Sequence, residues 1–113
     1  MTRRRNRSTR IQFAVYDYEV RVIFAHDIVA TGRRLGEKDD LSGATAASIT
    51  LDAHPLMGWL LFKLKPSPGV IAHEAAHAIR ALAKANGTTL DEETFSCHLE
   101  YLVEHIHKFL GRR

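Results

Sequence analysis

The sequence predicts an α+β domain: a small, mostly antiparallel sheet of about four strands, packed against two long helices at its C-terminal end. Three observations carry this. Four stretches with β-type patterning fall in residues 11–64, and two stretches with helical period follow them. A length of 113 residues suits one domain with a real core and leaves no room for a second.

In chain order, residues 11–15 alternate apolar and polar and read as a short strand, with a turn at Tyr16-Asp17-Tyr18. Tyr18, Val20, Val22 and Phe24 then alternate with Glu19, Arg21 and Ile23, giving a second strand with one buried face. Residues 26–35 suit a short helix closed by Gly36, which His26 and Asp27 begin. Residues 44–51 are small and β-branched and read as a strand at a sheet edge. Residues 56–64 are apolar on both faces, as an inner strand requires.

Ser67 can then cap a helix with Pro68 at its first position, running to about Asn86 and stopped by Gly87. Thr89-Leu90-Asp91-Glu92 has capping-box spacing and starts a last helix. Its apolar stripe is Phe95, Leu99, Leu102, Val103, Ile106 and Leu110.

Composition bounds the function classes. Hydrophobic content of 45% and charged content of 26% are ordinary for a soluble domain. No apolar run approaches the ~20 residues of a membrane span. Gln12, Asp17 and Glu19 interrupt the segment after the basic N-terminus, so no signal-peptide core follows, and a cytoplasmic location is expected. Cys97 is the only cysteine, which excludes an internal disulfide and a cysteine-based zinc knuckle. Any metal site must be built from histidines and carboxylates.

The net charge of +3 divides unevenly. Arg3, Arg4, Arg5, Arg7 and Arg10 fall in the first ten residues, and the remainder carries eleven basic against thirteen acidic residues. Residues 1–10 therefore read as a disordered basic arm and residues 11–113 as a mildly acidic folded body. The arm could make weak contact with nucleic acid, although no aromatic residue interleaves its arginines.

The chemistry is concentrated in Val70-Ile71-Ala72-His73-Glu74-Ala75-Ala76-His77, an HExxH motif in an alanine-rich helical stretch. Two histidines four residues apart share a helix face, so both imidazoles can reach one metal ion. Glu74 falls to the side, where it can take a proton from a water. With seven histidines in the chain, this pattern arises by chance in roughly 3% of such sequences, so the motif has weight.

On a helical wheel Ile71, Ala75, Ile79 and Leu82 cluster on one side, and His73 and His77 fall nearly opposite, in line with Arg80 and Lys84. A catalytic zinc site has three protein ligands. The third could come from Asp91, Glu92 or Glu93 at the start of the last helix, or from His98, His105 or His107. Tyr101 could stabilise an oxyanion, and otherwise packs.

HEAAH on one helix, followed by a short glycine-containing loop and an acidic helix start, resembles the minimal zincin metallopeptidases whose third ligand is a glutamate. It is most similar to small phage and prophage-encoded zinc peptidase-like proteins. Glu93-Thr94-Phe95-Ser96-Cys97 and Tyr101-Leu102-Val103 match their second helix, and strands 44–51 and 56–64 resemble the sheet before their active-site helix. The resemblance covers about residues 44–106, and HExxH is its specific part. Cys97 stands where relatives often carry an aromatic, and Glu100 where a small residue is usual.

The resemblance implies a zincin-like fold and a zinc ion held by His73, His77 and Glu93. Glu74 is then the general base, the substrate a protein or peptide, and the location host cytoplasm for a phage-encoded chain. The wheel places Glu92 nearer the apolar stripe and Glu93 on its flank, so Glu92 stays an alternative ligand. Two other functions are carried alongside. One is a non-catalytic binding protein on the same scaffold, using its arginine arm. The other is a structural metal.

Overall fold

A computed structural model describes residues 6–111. The elements are β1 (Arg7–Phe13), β2 (Tyr18–Ala25), α1 (Ile28–Leu35), β3 (Ala46–Thr50), β4 (Met57–Lys63), α2 (Pro68–Ala85) and α3 (Glu92–Gly111). The fold is α+β, with a four-stranded mixed sheet in the order β1-β2-β4-β3. β1 pairs antiparallel with β2, and β3 antiparallel with β4. The central β2–β4 pair is parallel. A parallel pair needs a crossover, and here α1 and β3 together supply it.

The alternation of β2 sends Tyr18, Val20, Val22 and Phe24 to one face of the sheet, joined by Ile11 and Phe13 of β1 and Leu60 and Phe62 of β4. That face packs against Ile71, Ala75, Ile79 and Leu82 of α2 and Leu102 and Ile106 of α3, all fully buried. The opposite face of β4 buries Trp59 and Leu61 with Ile49 of β3 and Ile28 of α1. β4 is therefore apolar on both faces because it is covered on both, as an inner strand is. Gly58 is needed where β4 passes Tyr18, since a Cβ there would stand 2.8 Å from the tyrosine hydroxyl oxygen.

Several boundaries differ from expectation. β1 begins at Arg7 rather than residue 11, so residues 7–10 belong to the sheet and not to an arm. The reason is α3, which lies along this strand. The Arg7 guanidinium donates to the Phe109 carbonyl at 3.1 Å and sits 4.7 Å over the Phe109 ring. At the other end of β1 the Tyr101 hydroxyl donates to the Gln12 carbonyl at 3.0 Å. Arg3, Arg4 and Arg5 lie outside the described residues.

Asp27 is the N-cap of α1, accepting from the Ala30 N–H at 3.0 Å, in keeping with its expected place at the start of this helix. Among the described residues no helix is long and apolar enough to cross a membrane.

Candidate metal centre

α2 is defined at both ends by local chemistry. The Ser67 hydroxyl accepts from the Val70 N–H at 3.1 Å, and Pro68 occupies the first turn, where its missing N–H costs nothing. At the far end Gly87 adopts φ 62°, and the N–H groups of Gly87 and Thr88 close on the carbonyls of Lys84 and Ala83. Between these limits the buried stripe of Ile71, Ala75, Ala78, Ile79 and Leu82 fixes the helix's rotation. His73 and His77 are consequently turned outward and exposed.

Their rings are neighbours, with centroids 4.9 Å apart in an edge-to-face arrangement. Glu74 is half-buried a third of a turn round the helix. With His73 it lines a hollow of about 460 Å³ whose other walls include Thr45, Ala46, Ser67 and Val70. Thr45 and Ala46 bring the start of β3 to the site. β3 ends the sheet, so its outer edge runs beside this hollow, as the edge-strand reading of residues 44–51 anticipates. The two histidines suit two positions around a tetrahedral ion.

Among the described residues, no third histidine, cysteine, aspartate or glutamate stands close enough to complete a metal-binding group. Glu93 lies exposed in the first turn of α3, and its carboxylate is 3.7 Å from the Cys97 thiol sulfur. Partial desolvation and then this neighbouring carboxylate push the Cys97 thiol above its ordinary value. The thiol therefore stays protonated near neutrality and is a poor metal ligand there.

The register of the two helices explains Glu93's distance from the pair. Glu92 and Phe95 share a hollow with Arg80, Ala83 and Lys84, so the start of α3 lies beside the last two turns of α2. His77 is six to seven residues earlier in α2 than the Ala83–Lys84 level, about 10 Å along the axis. Moving up α3 by the same amount reaches Glu100, seven residues after Glu93 and on the same flank of the helix. Sequence reasoning treated Glu100 only as a departure from a family pattern. The available signal was the antiparallel symmetry of the hairpin about its 86–91 connection, which pairs the level of residues 73–77 with that of about 100–104.

The capping assignment is corrected as well. Asp91 is the cap of α3: its carboxylate accepts from the Thr94 N–H at 2.7 Å and its carbonyl from the Phe95 N–H at 2.9 Å. Thr89 lies outside the helix, and Glu92 is its first residue, free of a capping-box role. The bond from Thr94 holds the Asp91 carboxyl below the usual aspartate range.

Other candidates fall on the β1 side of α3, away from the histidine pair. His98 hydrogen-bonds the Tyr16 hydroxyl through Nε2 at 2.7 Å, and Tyr101 packs edge-to-face on Phe13 while bonding Gln12. His105 lies against the Tyr101 ring. These contacts seat Tyr101 against β1. Comparison with protein-family models, curated proteins and solved structures found no match to this chain.

Proposed function

We propose that the chain is a zinc-dependent peptidase on a minimal zincin-like scaffold. The observation that supports this best is the outward-facing pair of neighbouring imidazoles, His73 and His77, with Glu74 in a hollow bordered by the free edge of β3. His73 and His77 would hold the ion, with a third donor from the α3 flank that carries Glu93 and Glu100. Zinc at this position supplies a Lewis acid and lowers the pKa of a water toward ~7. The Glu74 carboxylate takes the proton from the attacking water and returns it to the leaving amine. The outer edge of β3 orients the substrate by accepting it as an added strand, with the peptide carbonyl directed toward the histidine pair.

The test is Glu74→Gln, which preserves the side chain's shape and removes the base. It is expected to keep zinc and to lower hydrolysis of an unfolded protein substrate by roughly 10²–10⁴-fold. Wild-type protein that cuts no faster than this variant, with zinc supplied, would sink the reading.

A second reading rests on Arg10, which stands directly opposite Arg21 in the β1–β2 register. Arg3, Arg4 and Arg5 precede it in the sequence, and this basic composition suits weak nucleic-acid contact. Such binding weakens steeply with salt and is lost when residues 1–5 are deleted.

A further inference from the structure

The outward face of α2 does not end at the histidines. Arg80 and Lys84 continue it at helical spacing, and both are exposed. They line a hollow of about 430 Å³ with Leu90 and Phe95 as its apolar part and Thr88 and Thr89 on its rim. Arg80 is held in place there, its guanidinium 5.4 Å from the centre of the Phe95 ring. A cation–π contact at this distance favours the guanidinium's position over the ring and leaves its N–H groups able to donate outward.

Among the described residues no carboxylate lies within 4 Å of the Arg80 or Lys84 cation. Glu92 lines the same hollow without pairing with either. Lys84 has an ordinary explanation, since a cation in the last turn of a helix is favoured by the helix dipole. Arg80, a turn earlier and stacked on an aromatic ring, does not share it.

We infer that this hollow is a carboxylate-recognition subsite, and that the polypeptide held at the start of the β3 edge beside His73 continues from there along the outward face of α2 and carries an acidic residue at the hollow. The inference rests on the peptidase reading for the nature of the ligand. Its geometry follows from helix spacing. The centre of the Arg80–Lys84 pair is seven residues beyond that of His73–His77, about 10 Å along the axis. An extended chain covers that distance in about three residues. The favoured ligand is therefore a peptide with Asp, Glu or its own C-terminal carboxylate about three residues from the bond placed at the histidines. A guanidinium pre-set by Phe95 donates to such a carboxylate in a forked pair, and Lys84 adds a point charge.

The experiment reads binding and not hydrolysis, so the two proposals can fail separately. Zinc-supplied Glu74→Gln protein is titrated with two fluorescein-labelled ten-residue peptides of one sequence, carrying Glu at alternate positions in one and Gln in the other. The Glu peptide is expected to bind about tenfold tighter. Adding Arg80→Gln or Lys84→Gln should erase most of that preference while leaving the Gln peptide's affinity unchanged. Adding Glu92→Gln should instead tighten the Glu peptide two- to threefold, roughly, because it removes a repelling carboxylate. That gain cannot come from misfolding.

Equal affinity for both peptides overturns the subsite, as does a preference indifferent to all three substitutions. A single-stranded oligonucleotide that displaces the Glu peptide at lower concentration also overturns it, since the cations would then serve nucleic acid. Hydrolysis by wild type without any acidic preference refutes the subsite alone. Acid-dependent binding without hydrolysis refutes the peptidase reading alone.

Discussion

Asp91 shows how much of this chain turns on single polar side chains at helix starts. Its carboxylate accepts the Thr94 N–H, and that bond favours the ionised form, holding its pKa below the ordinary value. A group depressed in the folded state adds stability above its unfolded pKa, near ~4, and that contribution disappears as pH falls through the folded value. Replacing Asp91 by Ala is therefore expected to destabilise the domain at pH 7 and to cost progressively less as acid protonates the wild-type side chain. Urea unfolding of both proteins at several pH values between neutrality and pH 3 checks this; a difference that grows toward acid contradicts it. Ser67 provides the comparison. Its hydroxyl caps α2 with the same geometry but does not titrate, so Ser67→Ala should cost about 1 kcal/mol at every pH.

At the scale of elements, the α2–α3 hairpin decides what can reach the histidines. Glu92 and Phe95 share a hollow with Arg80, Ala83 and Lys84, and counting back along both helices from there sets Glu100 nearer the level of His77 than Glu93 is. The expected result is that Glu100→Ala lowers bound zinc more than Glu93→Ala does, measured as metal content after gel filtration at equal free zinc. The reverse order favours Glu93 as the third donor. This is also where legibility in the sequence ran out. The strand patterns, the two helix limits at Ser67 and Gly87, and the outward turn of His73 and His77 were all readable, because each depends on neighbours within a few residues. Spacing along one helix says nothing about its level against another, so the acidic residue of α3 best placed to reach the pair was not. The same limit hid the start of β1. Arg7 reads as part of a charged tail until Phe109, about a hundred residues later, supplies its carbonyl and ring.

Across the whole molecule, the core and the candidate site are separate. The main core lies between one face of the sheet and the inner faces of α2 and α3, where Leu102 and Ile106 are fully buried. His73, His77 and Glu74 lie outside that core and outside the smaller cluster around Trp59, Leu61 and Ile49. No buried side-chain donor or acceptor among the described residues lacks a partner. A structural metal usually organises a domain too small to bury a core of its own. Here the helices and sheet bury an extended apolar core of their own, and the histidine pair is no part of it. Chelation is therefore expected to abolish hydrolysis while leaving the far-ultraviolet circular dichroism spectrum and a single cooperative thermal transition intact. The midpoint should fall only by the linkage contribution of the lost ligand. Leu102→Ala should do the opposite, destabilising by about 2–5 kcal/mol through the cavity it opens, with the histidine pair chemically unaltered. If chelation instead unfolds the wild-type domain as completely as urea does, the metal is structural, and Glu74 has no water to activate.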